Sequence, residues 1–128
     1  LEKGPTQTER LNIRSVKVYA DGALGSRGAA LKKEYSDAPG NHGSVVTPVD
    51  QIEELAYVVA KKGFKVNNHA IDDAANHVVL NAYKKALTID ADPRWRIEHA
   101  QIVSLEDREF FGTKIIPSIQ PTHATSEM

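Results

Sequence analysis

At 128 residues the chain is one domain's length, and its 41% hydrophobic and 26% charged residues are the balance of an ordinary folded protein with a core. A formal net charge of −1 removes any electrostatic case for nucleic acid or an anionic membrane, and the lack of cysteine excludes a disulfide framework and a thiolate metal site. No apolar run approaches the roughly eighteen residues of a membrane span and no signal peptide is evident, so the cytoplasm is the expected compartment. The chain starts at Leu1 and stops at Met128 just past a strand-like run, and it reads as a piece of something longer.

Residues 1–12 are polar and aperiodic, an irregular lead-in. Ser15–Gly22 alternates: Val16, Val18 and Ala20 make an apolar face, while Lys17, Tyr19 and Asp21 make the other. A solvated lysine face is the plain reading of that pattern. Residues 22–47 follow as a long connection, with Gly22, Gly25 and Gly28 spaced around Ser26 and Arg27. Connections this long in compact domains are often active-site loops. A helix opens after it: Thr47 is placed to cap, Pro48 takes the first helical position, and Asp50 completes the capping pattern. Its buried stripe is Ile52, Leu55, Ala56, Val58 and Val59, and Gly63 ends it.

A strand over 64–69 then climbs to His69. The next helix runs from about Asp73 to Leu87, capped by Asp72 and Asp73, with Ala75, Val78, Val79, Ala82 and Ala86 inward. Strand 94–99 puts Trp95, Ile97 and His99 on one side. Ser104 starts a short helix that Gly112 stops, and Lys114–Gln120 forms a fourth strand leading to His123.

Strand and helix alternate at the spacing of parallel strands joined by right-handed crossovers. The fold class is therefore α/β, either a small open sheet of four strands or half of a (β/α)8 barrel. Chemistry in such sheets gathers at the carboxyl ends of strands, which places Lys17, Asp21, His69, His99 and His123 on one rim. Imidazoles are good ligands for zinc and other divalent ions. A desolvated lysine amine, lowered in pKa, can take up carbon dioxide as a carbamate able to bridge two metals. A single strand-end histidine is more often a hydrogen-bonded structural residue, and Asp73 with His77 on one helix face reads as solvated rather than chelating. The convergence of several tips is what favours a site.

Val16–Gly22, Gly25–Leu31, His69–Asp73, Arg96–Gln101 and Gln120–Thr125 occur in that order. These five segments resemble successive motifs of amidohydrolase family 3, metal-dependent hydrolases of the amidohydrolase superfamily. The resemblance implies that residues 1–128 are a partial hydrolase domain, strands four to seven of a (β/α)8 TIM barrel. It implies metal ligands at His69 and His99, a carboxylated bridging lysine at Lys17, and Arg27, His123 and Asp21 near the substrate. The cofactor implied is a divalent metal, with zinc expected, one or two ions in the intact protein. The activity implied is hydrolysis of an amide-like, non-peptide C–N bond of a small molecule by metal-activated water. The family usually has Gly where this chain has Asp72, and its first-strand His-x-His and last-strand aspartate lie outside these residues. The fragment is therefore expected to be inactive and to self-associate through open sheet edges. A rival reading is a non-catalytic ligand-binding module in which loop 22–28 offers backbone N–H groups to an anion.

Overall fold

The computed structural model describes residues 2–88 and 93–126. Strands β3 (Ser15–Tyr19), β4 (Lys65–Ala70), β5 (Trp95–His99) and β6 (Ile115–Ser118) form one parallel sheet in chain order. Helix α1 (Val49–Lys61) crosses from β3 to β4, and α2 (Asp73–Ala86) from β4 to β5. A 3-10 helix over Leu105–Phe110 lies between β5 and β6, and the short α3 (His123–Ser126) follows β6. The predicted alternation is present. The lead-in is less irregular than expected, because β1 (Thr6–Gln7) pairs antiparallel with β2 (Asn12–Ile13). Two-residue strands carry too little alternation to register in a sequence pattern.

One face of the sheet is buried under the helices. Val18, Val66, Ala70, Trp95, Ile97 and Ile115 meet Ile52, Ala56 and Val59 of α1 and Val79, Leu80 and Tyr83 of α2. Each large apolar side chain enclosed there contributes roughly 1.5–3 kcal/mol relative to exposure. The Tyr83 ring stands edge-on to Trp95 with centroids 4.9 Å apart, and its hydroxyl donates to the Arg96 carbonyl at 3.1 Å. Helix α1 ends at Gly63, whose φ of +73° suits a residue without Cβ. The Gly63 amide bonds Ala60 O at 3.0 Å and the Phe64 amide bonds Val59 O at 3.1 Å, while the Phe64 side chain is buried.

Two details of α1 differ from the sequence expectation. Thr47 does not cap: its hydroxyl donates to the Tyr19 carbonyl at 2.6 Å, tying the helix start to the end of β3, and Pro48 takes the N-cap position. Val58 is exposed, because the stripe that meets sheet and α2 is the narrower set Ile52, Ala56, Val59 and Ala60. The other face of the sheet stays open, and register arranges it in layers. Ser15 pairs with Lys65 at the amino end; Lys17, Asn67, Arg96 and Ile116 form the next row; Tyr19, His69, Glu98 and Ser118 form the row above.

The connection from β3 to α1 doubles back on itself, with Leu31 N–H bonding His42 O at 2.9 Å and Val46 N–H bonding Ala20 O at 2.7 Å. Gly43 sits where the limbs touch, with φ +66° and room for a Cβ only 1.9 Å from Ala29 O. Gly40 has φ +81° but open space around it. Gly40→Ala should therefore cost only the left-handed penalty, about 1–2 kcal/mol. Gly43→Ala should cost clearly more, because backbone must move as well. Urea unfolding of the two variants checks this; equal losses would show that the close approach carries no energy.

Candidate metal centre

Rings line up along the carboxyl ends of the strands. Tyr19 lies 5.1 Å from His69, His69 lies 4.7 Å from His99 in an edge-to-face arrangement, and His99 stacks on His123 at 6.0 Å, all as centroid distances. Tyr19 and His69 reach this row by ordinary alternation, as cross-strand partners on the open face. His99 does not. Alternation would put it with Trp95 and Ile97, under the helices, as the sequence reading had it. Instead its backbone adopts φ +80°, followed by +40° at Ala100, and the ring swings across to His69. Left-handed backbone at two successive non-glycine residues costs of order 1–3 kcal/mol each, and such strain clusters at functional sites.

Hydrogen bonds fix which nitrogen each ring offers. His69 Nε2 lies 2.9 Å from the Gly22 carbonyl, which can only accept, so Nε2 carries the proton and Nδ1 keeps its lone pair. His99 Nδ1 donates to Gln120 Oε1 at 2.7 Å, and His123 Nδ1 donates to Gln101 Oε1 at 3.0 Å. Both of those rings keep the lone pair on Nε2. A metal-binding histidine is held in this way, with one nitrogen anchored and the other open.

Lys17 lies one row below His69 on the same face, its Nζ 5.1 Å from the Tyr19 ring centroid. Partial removal from water lowers its pKa below the ordinary lysine value; Glu98 opposes that shift and Arg96 assists it. Burial works against the Glu98 charge, yet hydrogen bonds from Ser118 and Arg96 and the charges of Arg96 and Lys17 outweigh it and hold its carboxyl low. Two neighbouring imidazoles with open nitrogens, with an amine that gives up its proton more readily one row below His69, are donor types suited to a divalent cation.

Asp21 is enclosed. Its Oδ1 accepts the Ile71 amide at 3.0 Å, and its Oδ2 accepts those of Ala30 and Asp72 at 3.0 and 3.1 Å. His69 Nε2 stands 3.6 Å from Oδ1. Asp21 thus braces the rim from behind. Arg27 sits at the rim's outer side with φ 54°, its guanidinium forked onto the Asp37 carboxylate at 2.8 and 3.2 Å. That pair borders a cleft of about 770 Å³ that also touches Leu31, Tyr35 and Ile102. The glycine loop itself offers little to a ligand. Gly22 N–H bonds Gly28 O at 3.2 Å and Gly28 N–H bonds Ala23 O at 3.0 Å, so these amides close the loop on itself.

Asp72 takes the N-cap position of α2 but makes no capping bond. Its carboxyl turns instead toward the Tyr35 hydroxyl at 3.5 Å, which also donates to Ala29 O at 2.9 Å. Asp73 likewise turns aside, its Oδ1 accepting the Lys32 amide at 2.8 Å.

A second cluster lies away from the rim, between α2 and the 3-10 helix. His77, Glu106 and Asp107 bring ligand atoms within 4.8 Å of one another. Both nitrogens of His77 are engaged, Nδ1 by Asp107 at 2.9 Å and Nε2 by the Asn81 amide at 3.1 Å. The Lys32 ammonium sits 2.6 Å from Glu106 and 3.6 Å from Asp107. The cluster already holds its cation, and it is an ion-pair network.

The sequence pattern of the amidohydrolase family matches residues 1–127. This chain belongs to the amidohydrolase family. It is 38% identical over 126 residues to Protein LONG AFTER FAR-RED 3 of Arabidopsis thaliana, covering 96% of this chain and 22% of that protein. It is 38% identical over 92 residues to the putative amidohydrolase YtcJ of Bacillus subtilis, covering 72% of this chain and 17% of that one. Two crystal structures of uncharacterized metal-dependent hydrolases superpose on it. That from Pyrococcus furiosus gives a TM-score of 0.84 at 35% identity, covering 97% of this chain and 26% of the other. That from Pyrococcus horikoshii gives 0.83 at 34% identity, covering 97% and 25%. The chain spans about a quarter or less of the length of these relatives.

The rim and its supports include residues that the sequence pattern did not single out. Tyr19 extends the ring row, Gln101 and Gln120 set the imidazole tautomers, and the Asn76 amide nitrogen, with two protons to donate, lies 3.0–3.2 Å from the carbonyls of Ala70, Ile71, Asp72 and Ile102. The two glutamines stand inside motifs that could have pointed to them, each beside or near a rim histidine.

The Asp72 carboxyl is buried. Burial first, then repulsion from Asp21 and Asp73, pushes its pKa from 3.8 up to about 7, with the Tyr35 hydroxyl opposing. Between those values the folded chain holds a proton that the unfolded chain has released. Stability contributed by Asp72 is therefore present below about pH 4 and lost as pH rises through about 7, with a ceiling of roughly 4 kcal/mol. The Asp72→Asn variant should gain stability over the wild type as pH rises from 5 to 8. Urea unfolding across that range checks it, and parallel profiles for the two proteins would rule it out.

Proposed function

We propose that this chain is the central part of a (β/α)8-barrel, metal-dependent hydrolase whose intact form cleaves an amide-like, non-peptide C–N bond of a small molecule through metal-activated water. The observation that carries this is the rim: His69 and His99 lie ring to ring with Nδ1 of one and Nε2 of the other left open. Family membership and the superposition on metal-dependent hydrolases support the same reading.

In this reading His69 and His99 hold the metal, with zinc the expected ion and one or two per intact protein. When bound, it supplies Lewis acidity that polarises a carbonyl and acidifies water. The chain's own residues then do the positioning. The Gly22 carbonyl and Gln120 keep the two imidazoles in their tautomers, and Asp21 ties the loop that follows β3 to the loop that follows His69 on β4. Lys17, with its lowered pKa, adds to carbon dioxide through Nζ and releases a proton, giving a carbamate as the anionic ligand. Arg27 and His123 border the substrate, while Asp21, enclosed with its carboxylate on three backbone amides, supports the rim from behind. The compartment proposed is the cytoplasm; no helix among the described residues is long and apolar enough to cross a membrane.

In the intact protein, His69→Ala and His99→Ala should each lose most of the bound metal and activity, while His77→Ala keeps both. Elemental analysis and an amide-hydrolysis assay decide. Undiminished metal in both rim variants would sink the assignment, and an unmodified Lys17 amine in the active, metal-loaded protein by intact mass would remove the carbamate.

The 128-residue chain alone should be inactive and should self-associate, since β3 and β6 are edges with one neighbour each among the described strands. Sedimentation at micromolar concentration tests this, and a stable monomer would refute it.

A further inference from the structure

We propose that the cleft beside Arg27 is where the intact protein's substrate lodges its distal group, and that this group is neutral and apolar, a branched aliphatic chain or an aromatic ring. The proposal rests on the hydrolase reading above and adds the substrate class. The cleft measures about 770 Å³, within the range that encloses small molecules, and Leu24, Leu31, Tyr35 and Ile102 give it apolar walls. Ile102 is 40% exposed.

The walls grow from the residues that hold the rim. Gly22, whose carbonyl fixes His69, is followed two residues later by Leu24. Gln101, which fixes His123, is followed at once by Ile102, and the Ile102 amide bonds the Ile71 carbonyl at 2.9 Å just past the end of β4. Helix α3 starts at His123 and brings Ser126 into the same cleft within one turn. Cleft and imidazoles therefore share their supports, at the strand ends where a (β/α)8 barrel carries its active-site loops. The Tyr35 ring is set by its hydroxyl, which donates to Ala29 O at 2.9 Å, so that wall is fixed in place.

Charge decides which distal groups fit. The Arg27 guanidinium is taken up by Asp37 at 2.8 Å. Glu34 also lines the cleft, accepts the Gly40 amide at 2.7 Å and forms no ion pair among the described residues. One cation thus faces two carboxylates. A carboxylate placed here would meet Glu34 with no free cation among the lining residues to answer it, whereas an apolar group takes Leu24, Leu31 and Ile102 out of water.

In the intact protein, amides ending in a phenyl, a methyl or a carboxylate group test this, with that group on the acyl side in one series and on the amine side in another. In one of the two series kcat/KM should be about tenfold higher for phenyl than for methyl, with the carboxylate compound poorest. Leu31→Ser and Ile102→Ser should each reduce the phenyl preference several-fold, through KM, and leave kcat for the methyl substrate unchanged. Glu34→Gln should improve the carboxylate compound alone. Circular dichroism establishes that the variants fold, and the conservative Ile102→Val should keep the preference. Equal phenyl and methyl values in both series, or a preference that survives both serine variants, would overturn the proposal. Binding of phenylacetamide to the metal-free intact protein, followed by NMR, reads the cleft without turnover. Saturable binding weakened by the serine variants, with no amide hydrolysed, would retire the hydrolase reading and keep the apolar subsite; absence of binding alongside normal turnover would overturn the subsite alone.

Discussion

The rim depends on one buried carboxylate. Asp21 accepts backbone amides from Ala30 on the loop that follows β3, and from Ile71 and Asp72 on the loop that follows β4. Charge-assisted bonds of this kind are stronger than neutral ones, and each amide left without a partner in the interior costs about 1–3 kcal/mol. Asn76 does the complementary work one strand further on, its amide nitrogen lying among the carbonyls of Ala70, Ile71, Asp72 and Ile102. One group gathers donors and the other gathers acceptors. Between them they join the ends of three strands, and the histidines stand on what they join.

The elements of this fold were legible because their signals are local. Alternation marked the strands of the main sheet, and Gly63 marked the end of α1 through the left-handed conformation that closes its last turn. The failures share a cause as well. Thr47 has the chemistry of a cap, but the Tyr19 carbonyl, far away in sequence, competes for its hydroxyl. Asp72 has the chemistry of a cap too, and its carboxyl is drawn to Tyr35. A capping rule reads neighbours in the chain, whereas these side chains answer to neighbours in space.

The site was legible in its residue types and less so in its geometry. His69 follows from alternation alone. His99 reaches it by breaking alternation, and nothing in Glu98–His99–Ala100 announces a left-handed turn. Asp21 looked like a group facing substrate because it follows Lys17 and Tyr19 at strand spacing; its enclosure depends on a loop that returns from residues 29–30. The tautomers rest on Gly22, Gln101 and Gln120, each remote from the ring it orients.

That orientation makes the two central imidazoles chemically distinct. His69 presents the nitrogen near its own backbone and His99 the one at its far end. An asparagine carboxamide reaches about as far as Nδ1, and a glutamine carboxamide about as far as Nε2. Each position therefore has its own nearest isostere, asparagine at 69 and glutamine at 99, and exchanging the two would set the donor atom too far out at one place and too short at the other.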